Sequence, residues 1–335
     1  MPELPEVETV ARDLRPLIVG ATIVGARCSW ARTLRTHDPA TFADAVAGRT
    51  IEAVGRRAKL VVVRLSGGLV VTVHLKMTGQ LFVVPAAAPE DPYVRLVLEL
   101  ADGREVRFRD IRKFGKVGLY EVDTASGEPL VERGGATAFG DLGPEPLDEA
   151  FTLRAFRRRL RGRRGRLKPL LLDQSFIAGI GNIYADEALW TARLHPLRSA
   201  TTLRAPDERR LYEAIRAILG EAIERRGSSI DDYTAPDGDG AMQERLQVYQ
   251  RTGGPCARCG HPVRRVVIGA RSTHFCSWCQ RLRPADRKAA AAILRAAGAR
   301  PGSLTERTKR AAETRRAAAR AAMGVEPTAA SGDEG

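Results

Sequence analysis

The chain has 335 residues, of which 44% are hydrophobic, so it is long enough for two domains with apolar cores and a further segment. No apolar run reaches about 18 residues, which excludes a membrane-spanning helix. The acidic residues 1–6 lack the apolar region of a secretory signal, so we expect a cytoplasmic protein that does not bind membranes. Lys and Arg number 54 against 40 Asp and Glu, a formal net charge of +14. That balance favours a polyanionic partner such as nucleic acid, the alternative being a protein that is merely soluble and basic.

The N-terminal part of the chain begins with a helical pattern and continues as a series of strands. Val7, Val10, Ala11 and Leu14 have helical spacing, which predicts a helix over residues 6–15 with one buried face. The strand-like stretches that follow are 22–24, 59–65, 69–75, 94–100, 106–108 and 117–122. Gly-Gly, Asp-Gly and Pro turns separate them at short intervals, which predicts an antiparallel sandwich or barrel.

The second half of the chain changes to helical spacing. The clearest stripe follows Pro206 and predicts a helix that Asp207 caps and Gly227 closes. Its apolar residues are Leu211, Ala214, Ile215, Ile218, Leu219, Ala222 and Ile223. Residues 154–168 contain nine Lys or Arg and no acid, which is typical of a solvated face and, at this density, of phosphate contacts. The turn at 179–182, Gly-Ile-Gly-Asn, is expected to present backbone N–H groups to an anion.

Four of the five cysteines form two C-x2-C pairs separated by sixteen residues, and they are Cys256, Cys259, Cys276 and Cys279. Because no export signal is present, thiolate coordination is favoured over disulfides. Four sulfur ligands complete a tetrahedral shell, so we predict one structural zinc ion without a catalytic role. The residues between the pairs predict a hairpin with strands at 263–268 and 272–275 and a turn at 269–271. Cys28 stands alone and is expected to be a small buried core residue.

These patterns divide the chain into five segments of an α+β, multidomain protein. The segments are a β-rich domain at 1–123, a Gly- and Pro-rich linker at 124–147, a helical domain at 148–245, a zinc finger at 246–282 and a tail at 283–335. Residues 285–335 carry ten Lys or Arg and six acids. This composition predicts a disordered or partly helical basic tail that adds weak, nonspecific affinity for DNA.

Five motifs together resemble the formamidopyrimidine-DNA glycosylase family, which excises oxidised purines from DNA. They are Pro-Glu-Leu-Pro-Glu-Val-Glu-Thr-Val at 2–10, His-Leu-Lys-Met-Thr-Gly at 74–79, Asp-Ile-Arg-Lys-Phe-Gly at 110–115, Gly-Ile-Gly-Asn-Ile-Tyr-Ala at 179–185, and the cysteine finger. The resemblance runs in order from residue 2 to about 281. It implies an N-terminal antiparallel β-sandwich flanked by helices and a C-terminal helix–two-turn–helix domain with the zinc-finger hairpin. The tail after the last cysteine pair departs from the family pattern.

The resemblance implies that the first residues carry the chemistry. Loss of Met1 would leave Pro2 with a secondary α-amine, and α-amines have pKa values well below those of lysine side chains. Such an amine can attack the sugar C1′ and form an iminium, which favours elimination of the 3′ phosphate and, by resemblance, of the 5′ phosphate. Glu3 is the expected general acid and base, with Glu6 in support. An N-terminal Pro-Glu that merely starts a helix is the alternative that these residues alone would favour.

The resemblance also implies roles in holding DNA. Lys59 matches an active-site lysine near the lesion, and Lys168, Asn182 and Arg271 match positions that bind backbone phosphates. Excision at C1′ requires the target base to leave the stack. The residues that match the group filling the resulting gap are Met77, Arg112 and Phe114.

The expected partner is damaged double-stranded DNA, bound by a monomer that is associated with the nucleoid. Leu4 and its context resemble the oxidised-purine enzymes more than the related endonuclease VIII type, which acts on oxidised pyrimidines. Residues 227–243, including Asp231, Asp232 and Tyr233, resemble a mobile loop over the flipped purine. A noncatalytic binder of damaged DNA is a third hypothesis, and the presence of Pro2, Glu3 and Lys59 speaks against it.

Overall fold

The computed structural model describes residues 1–122, 129–130, 139–140, 142–229 and 240–298. Most of the predicted linker, the segment with Asp231, Asp232 and Tyr233, and the tail after residue 298 lie outside the described residues. Within the described residues, no helix combines the length and apolar character needed to cross a membrane.

The N-terminal part consists of two antiparallel sheets with two helices. The helices are α1 (Leu4–Ile18) and α2 (Pro39–Val46), and a short 3₁₀ turn covers Ala31–Thr33. The strands are β1 (Ile23–Cys28), β2 (Ile51–Arg57), β3 (Leu60–Leu65), β4 (Leu69–His74), β5 (Gly79–Pro85), β6 (Val94–Leu100), β7 (Arg104–Asp110), β8 (Lys116–Val122) and β9 (Pro129–Leu130). One sheet has the order β1-β6-β7-β5 and the other β2-β3-β4-β8-β9. The predicted sandwich is confirmed. The structure adds α2, β2 and β5 to the expected elements, and also the short β9, which lies within the predicted linker and pairs with β8.

Helix α1 contributes its apolar stripe to the core between the two sheets. Val7, Val10, Ala11 and Leu14 are buried there, as the helical spacing predicts. The helical spacing predicted for this segment therefore directs one apolar face of α1 toward the core. Cys28 lies at the end of β1, where it packs against this core but is only half-buried, so it is less buried than predicted.

The C-terminal part is helical and has its own core. Its helices are α3 (Leu153–Arg161), α4 (Leu167–Leu172), α5 (Asn182–Thr191) and α6 (Ala205–Glu224), with further 3₁₀ turns at Ala200–Thr202 and Met242–Arg245. Asp207 is not the cap of α6 as predicted, because the helix begins earlier and Asp207 instead accepts a hydrogen bond from the N–H of Arg204, the capping residue. Gly227 lies three residues beyond the end of α6 with φ +74, a conformation that suits glycine.

The zinc-finger segment forms a two-stranded hairpin followed by a further helix. Strands β10 (Arg264–Ile268) and β11 (Arg271–Phe275) pair antiparallel, and α7 (Pro284–Gly298) packs against β10. Only Gly269 and Ala270 form the turn, both with positive φ, which matches the tight two-residue hairpin turn. Arg271 is therefore the first residue of β11 rather than the last residue of the turn.

The start of α1 joins the two halves of the molecule. Leu4 is buried in the core of the helical part, and its N–H donates to the carbonyl of Gly179 at 3.0 Å. A Cβ on Gly179 would lie 2.6 Å from the Leu4 side chain. The first residues of the chain are consequently fixed against the turn between α4 and α5.

Candidate active site

The carboxylate of Glu3 lies at the N-terminus of α5, in the turn whose sequence predicts an anion site. It accepts hydrogen bonds from the N–H groups of Gly181 at 2.6 Å and Ile183 at 2.8 Å. A Cβ on Gly181 would lie 2.4 Å from the Glu3 carboxyl carbon, so only glycine fits there. The anion that this turn holds is therefore a side chain of the protein itself, stabilised by the positive end of a helix.

Burial determines the proton affinity of Glu3. The residue is 1% exposed, and this burial raises the pKa of its carboxyl above the ordinary value. The ammonium of Lys59 opposes the shift, and the charge of Glu6 adds to it. Glu3 consequently keeps its proton to higher pH than a surface glutamate does, which suits a group that must act as an acid and a base.

Glu6 fixes the backbone of Glu3 rather than facing the cleft. One of its oxygens accepts from the N–H of Glu3 at 2.8 Å. The other accepts from the hydroxyl of Tyr184 at 2.5 Å and the N–H of Ser228 at 2.8 Å. Burial and the charge of Glu6 raise the pKa of Tyr184 well above its ordinary value, which keeps the phenol a donor. These contacts tie α1 to α5 and to the segment after α6.

Lys59 lies opposite Glu3 and is also buried. Its Nζ donates to the carbonyl of Ile180 at 2.9 Å, and the residue is 7% exposed. The preceding Ala58 turns the chain with φ 53, and Glu145 accepts its N–H at 2.6 Å. Burial lowers the pKa of the Lys59 ammonium, and the charge of Glu3 opposes that shift. The pKa values of Glu3 and Lys59 thus move toward each other, a pattern common at sites of proton transfer.

A cleft of about 310 Å³ brings several of these residues together. Its lining includes Met1, Lys59, Gly181, Asn182 and Arg271, which come from both halves of the chain. Pro2, next to Met1, is buried. Residues that are far apart in sequence therefore meet around one concave surface, as expected of a binding site.

The cleft also contains two residues that sequence reasoning did not single out, His74 and Lys76. Burial lowers the pKa of His74 to about 3, with the charge of Lys76 acting in the same direction. The His74 Nδ1 is 3.1 Å from the N–H of Lys76, which makes Nδ1 an acceptor and places the proton of the neutral ring on Nε2. Both residues belong to the 74–79 motif that resembles the family, and this position could have indicated them as site residues. Only Met77 of that motif was assigned a role from the sequence.

Lys168 lies inside the protein rather than on its surface. It is 0% exposed, and its Nζ donates to Asp186 at 2.7 Å and to the carbonyl of Asn182 at 2.8 Å. Asp186 in turn accepts the N–H of His274 in β11 at 2.8 Å. Lys168 thus joins α4 to α5, and Asp186 links α5 to the zinc hairpin. A direct contact of Lys168 with a phosphate stays a prediction that the burial does not favour.

Asn182 and Arg271 meet where α5 approaches the tip of the hairpin. The Asn182 side-chain amide donates to the carbonyl of Ser272 at 2.9 Å. Its Oδ1 is buried without a hydrogen-bond partner among the described residues. Arg271 is exposed and lines the cleft. The hairpin thus delivers one exposed guanidinium to the edge of the site, in a position suited to an anionic group.

Met77, Arg112 and Phe114 lie in two adjacent turns that Asp110 and Thr78 join. Asp110 accepts the hydroxyl of Thr78 at 2.5 Å, and Thr78 accepts the N–H of Arg112 at 3.1 Å. Phe114 is 49% exposed, and the Arg112 guanidinium lies over its ring at 4.9 Å. The structure therefore places an exposed aromatic and a cation side by side, outside the lining of the cleft.

The four cysteine sulfurs form a compact group that fits one zinc ion. All four lie within 4.8 Å of one another, with 3.9 Å between Cys256 and Cys279 and 3.5 Å between Cys259 and Cys276. Tetrahedral coordination with bonds of about 2.3 Å separates sulfurs by about 3.8 Å. The indole N–H of Trp190, in α5, donates to the sulfur of Cys256 at 3.4 Å, a contact that orients the ligand from outside. The predicted metal site is confirmed.

Three family models match the chain in sequence. They are the formamidopyrimidine-DNA glycosylase N-terminal domain over residues 1–117, the formamidopyrimidine-DNA glycosylase H2TH domain over 142–234, and the zinc finger found in FPG and IleRS over 253–282. Their order follows the order of the sandwich, the helical part and the hairpin.

Curated relatives and solved structures agree with these matches. The chain is 47% identical to the formamidopyrimidine-DNA glycosylase of Herpetosiphon aurantiacus over 283 residues, which are 84% of this chain and 100% of the relative. The structure of Lactococcus lactis Fpg in complex with DNA containing an abasic site has a TM-score of 0.76 at 35% identity, and that of Thermus thermophilus MutM (Fpg) has 0.72 at 43%. Each comparison covers 84% of this chain and 100% of the solved chain. A further structure of the Lactococcus lactis enzyme is a complex with DNA that contains N7-benzyl-Fapy-dG. It has a TM-score of 0.76 at 35% identity and covers 84% of this chain and 100% of the solved chain.

Proposed function

The chain belongs to the formamidopyrimidine-DNA glycosylase family of DNA repair enzymes, and from this premise we propose that it removes oxidised purines from duplex DNA and then cleaves the strand. The observation that carries the proposal is the burial of Glu3 against the N-terminus of α5, beside Lys59 and next to Pro2. A buried acid with a raised pKa, beside a buried lysine and next to an N-terminal proline, is typical of a catalytic site, and a noncatalytic binder does not need this combination. The Lactococcus lactis complexes with abasic and Fapy-dG DNA support damaged duplex DNA, and a purine lesion, as the substrate.

Pro2 is the proposed nucleophile. Met1 lines the cleft, so its removal would expose the Pro2 amine to that space. The amine lone pair forms a bond to C1′ as the bond to the damaged base breaks, and ring opening of the sugar gives an iminium. Loss of the C2′ proton converts the iminium to an enamine, whose electrons then form the C2′–C3′ double bond as the bond from C3′ to the 3′ phosphate breaks. In a second elimination, loss of the C4′ proton leads to breakage of the bond from C5′ to the 5′ phosphate.

Glu3 is the proposed proton carrier for these steps. Its raised pKa favours the neutral carboxyl that protonates the opening sugar, and the resulting carboxylate can accept a proton during elimination. The fixed N–H groups of Gly181 and Ile183 stabilise the charged form, so the group can change protonation state without moving. Lys59 supplies the positive charge that limits the shift of the Glu3 pKa.

The remaining residues are proposed to hold the DNA. Arg271 and Asn182 lie where backbone phosphates would enter the cleft, and Lys168 supports Asn182 from inside. Phe114, Met77 and Arg112 would fill the gap that an extruded base leaves, because an exposed ring can replace the stacking and a guanidinium can bond to the orphaned partner base. We further propose that the enzyme acts as a monomer. We also propose that its domains have the boundaries predicted from the sequence, with the β-rich domain ending near residue 123, the helical domain covering 148–245 and the zinc finger covering 246–282.

A borohydride trap tests the proposal. The protein is incubated with a duplex containing 8-oxoguanine, reduced, and digested, and we expect a covalent DNA adduct on the N-terminal proline. The N-terminus is first checked by mass spectrometry, because a retained Met1 leaves no free proline amine. Absence of an adduct with correctly processed protein would exclude the mechanism. The same assay with thymine glycol duplex separates the substrate classes, since stronger trapping there would assign the enzyme to oxidised pyrimidines.

A further inference from the structure

Helix α7 lies after the last segment of the chain that a matching family model covers. The zinc-finger family model ends at residue 282, and the 283 residues that align with the Herpetosiphon aurantiacus enzyme cover that relative completely. Pro284–Gly298 nevertheless forms a helix that packs against strand β10 of the zinc hairpin. This added element is therefore attached to the part of the finger that carries Arg271.

The contact between α7 and the hairpin has an apolar centre. Val266 and Ile268 of β10 and Phe275 of β11 are buried in one cluster with Ala290 of α7, which is 0% exposed, and with Leu197. Register pairs Val266 with Thr273 and Ile268 with Arg271, and residues paired across two antiparallel strands lie on the same face. Helix α7 thus covers the face of the hairpin from which Ile268 projects.

Polar contacts fix α7 to the helical part of the protein as well. Asp286 is buried and accepts hydrogen bonds from the N–H of Ser199 at 3.2 Å and the hydroxyl of Thr202 at 3.1 Å. The guanidinium of Arg166, just before α4, donates to the carbonyl of Ala289. The helix is consequently attached both to the hairpin and to the elements around α4.

Helix α5 contacts the hairpin along β11. The backbone N–H of His274 donates there to Asp186, and the backbone carbonyl of Ser272 accepts from the Asn182 amide, so the hairpin is held by α7 on one face and by α5 along the outer edge of β11. We propose that α7 is a brace that positions the tip of the hairpin, and with it Arg271, for a DNA phosphate. The reason is that Ile268, the direct partner of Arg271, is seated against α7 at the last pair before the turn. The phosphate contact itself rests on the proposed function.

Two glutamate substitutions on α7 test the brace in the full-length protein. Ala290→Glu forces a charge into the closed apolar contact, whereas Ala292→Glu makes the same change on the exposed face of the same helix. Amide hydrogen exchange measures how often the backbone of the hairpin opens, and it needs no DNA. We expect amides of β10 and β11 to exchange at least about tenfold faster in Ala290→Glu and at the wild-type rate in Ala292→Glu. Unchanged exchange in Ala290→Glu would overturn the brace, whatever the enzyme's activity.

Binding to a duplex with an abasic-site analogue connects the brace to Arg271. Ala290→Glu is expected to weaken binding and lower the salt slope by about one unit, as loss of one phosphate contact does. The double variant with Arg271→Ala should bind no more weakly than Arg271→Ala alone, because both changes remove the same contact. Additive losses would show that α7 acts elsewhere and would overturn the positioning role.

A milder variant covers the case in which Ala290→Glu prevents folding. Asp286→Ala removes the polar attachment and keeps the apolar contact, so it should show the same changes at smaller size. Wild-type exchange and wild-type binding in Asp286→Ala, together with global unfolding of Ala290→Glu, would leave α7 as a general stability element and reject the brace. If wild-type protein fails to excise any base, the exchange and binding measurements still decide the question.

Discussion

Glu3 and Arg271 occupy opposite environments around one cleft. Glu3 lies behind the cleft wall, almost without solvent contact, and fixed backbone N–H groups hold its carboxylate. Arg271 stands exposed at the end of a two-stranded hairpin. The first environment changes the chemistry of a side chain by removing water, whereas the second leaves a charge in water and controls only its position.

This difference separates two ways of building a site. A buried acid needs its partners in place before it is useful, because an unpaired charge would destabilise the fold. An exposed cation needs no desolvation, but its contact with phosphate weakens as salt rises. Changes near Glu3 should therefore appear in the rate of the chemical step, and changes near Arg271 in DNA affinity.

The largest effect is expected for Glu3→Gln. The amide can still accept a backbone hydrogen bond but cannot carry the proton, so single-turnover excision should fall by about 10²- to 10⁴-fold while the Kd for an abasic-site analogue duplex changes little. Glu8→Gln in α1 is the matched control, because Glu8 pairs with Arg12 and Arg56, and none of these three residues lines the cleft. Wild-type excision by Glu3→Gln would refute the acid and base role.

Removal of zinc should affect the region of Arg271 rather than that of Glu3. The metal joins the two ends of the hairpin segment, so chelation is expected to raise the Kd by about 100-fold or more, because the whole ordered hairpin is lost and Arg271 with it. Excision should recover when enough stripped protein is added to saturate the DNA, because Glu3 and Lys59 lie outside the finger. Added zinc is the control and should restore affinity. If zinc-free protein binds DNA tightly but does not excise the base, the finger serves the chemical step rather than DNA binding, contrary to this prediction.

Arg271→Ala isolates the exposed cation itself. Losing one charge-assisted contact should raise the Kd about tenfold and reduce the slope of log K against log salt by about one unit, with little change in the saturated excision rate. Arg264→Ala is the comparison variant. Arg264 is also exposed but lies at the start of β10, at the end of the hairpin far from the turn, so its loss should have a smaller effect. An unchanged salt slope for Arg271→Ala would argue against a phosphate contact.

The sequence predicts these two regions unequally. The spacing of the four cysteines is local and specific, so the hairpin, its turn and the zinc site follow from a short stretch of chain. The environment of Glu3 depends on Gly181 and Ile183, which are 178 and 180 residues away. Only the motif resemblance assigned Glu3 a role, and no local pattern indicates that the turn of 179–182 receives it.

Elements were missed where local patterns are weak. Strand β2 interrupts its apolar alternation with Gly55 and contains a register shift near Ile51, so period 2 is hard to recognise. Helix α2 has only eight residues, although Asp38 before Pro39 is a helix-start signal that was available. The burial of Lys168 could not be predicted, because a basic run predicts exposure and its partner Asp186 belongs to another helix.

The smallest expected effect tests how Lys59 acts on Glu3. Burial raises the pKa of Glu3, so the protonated acid, and with it single-turnover excision, should decline as pH rises through that value. The Lys59 ammonium opposes the raised pKa, so Lys59→Met removes that opposition and should move the declining limb to higher pH, even though the maximal rate falls. Lys76→Met, which removes another cleft cation, is the control and should move the limb much less, since Lys59 but not Lys76 is among the largest influences on the pKa of Glu3. A limb that moves to lower pH in Lys59→Met would mean that Lys59 raises rather than restrains the proton affinity of Glu3, and the buried region would then require a different account.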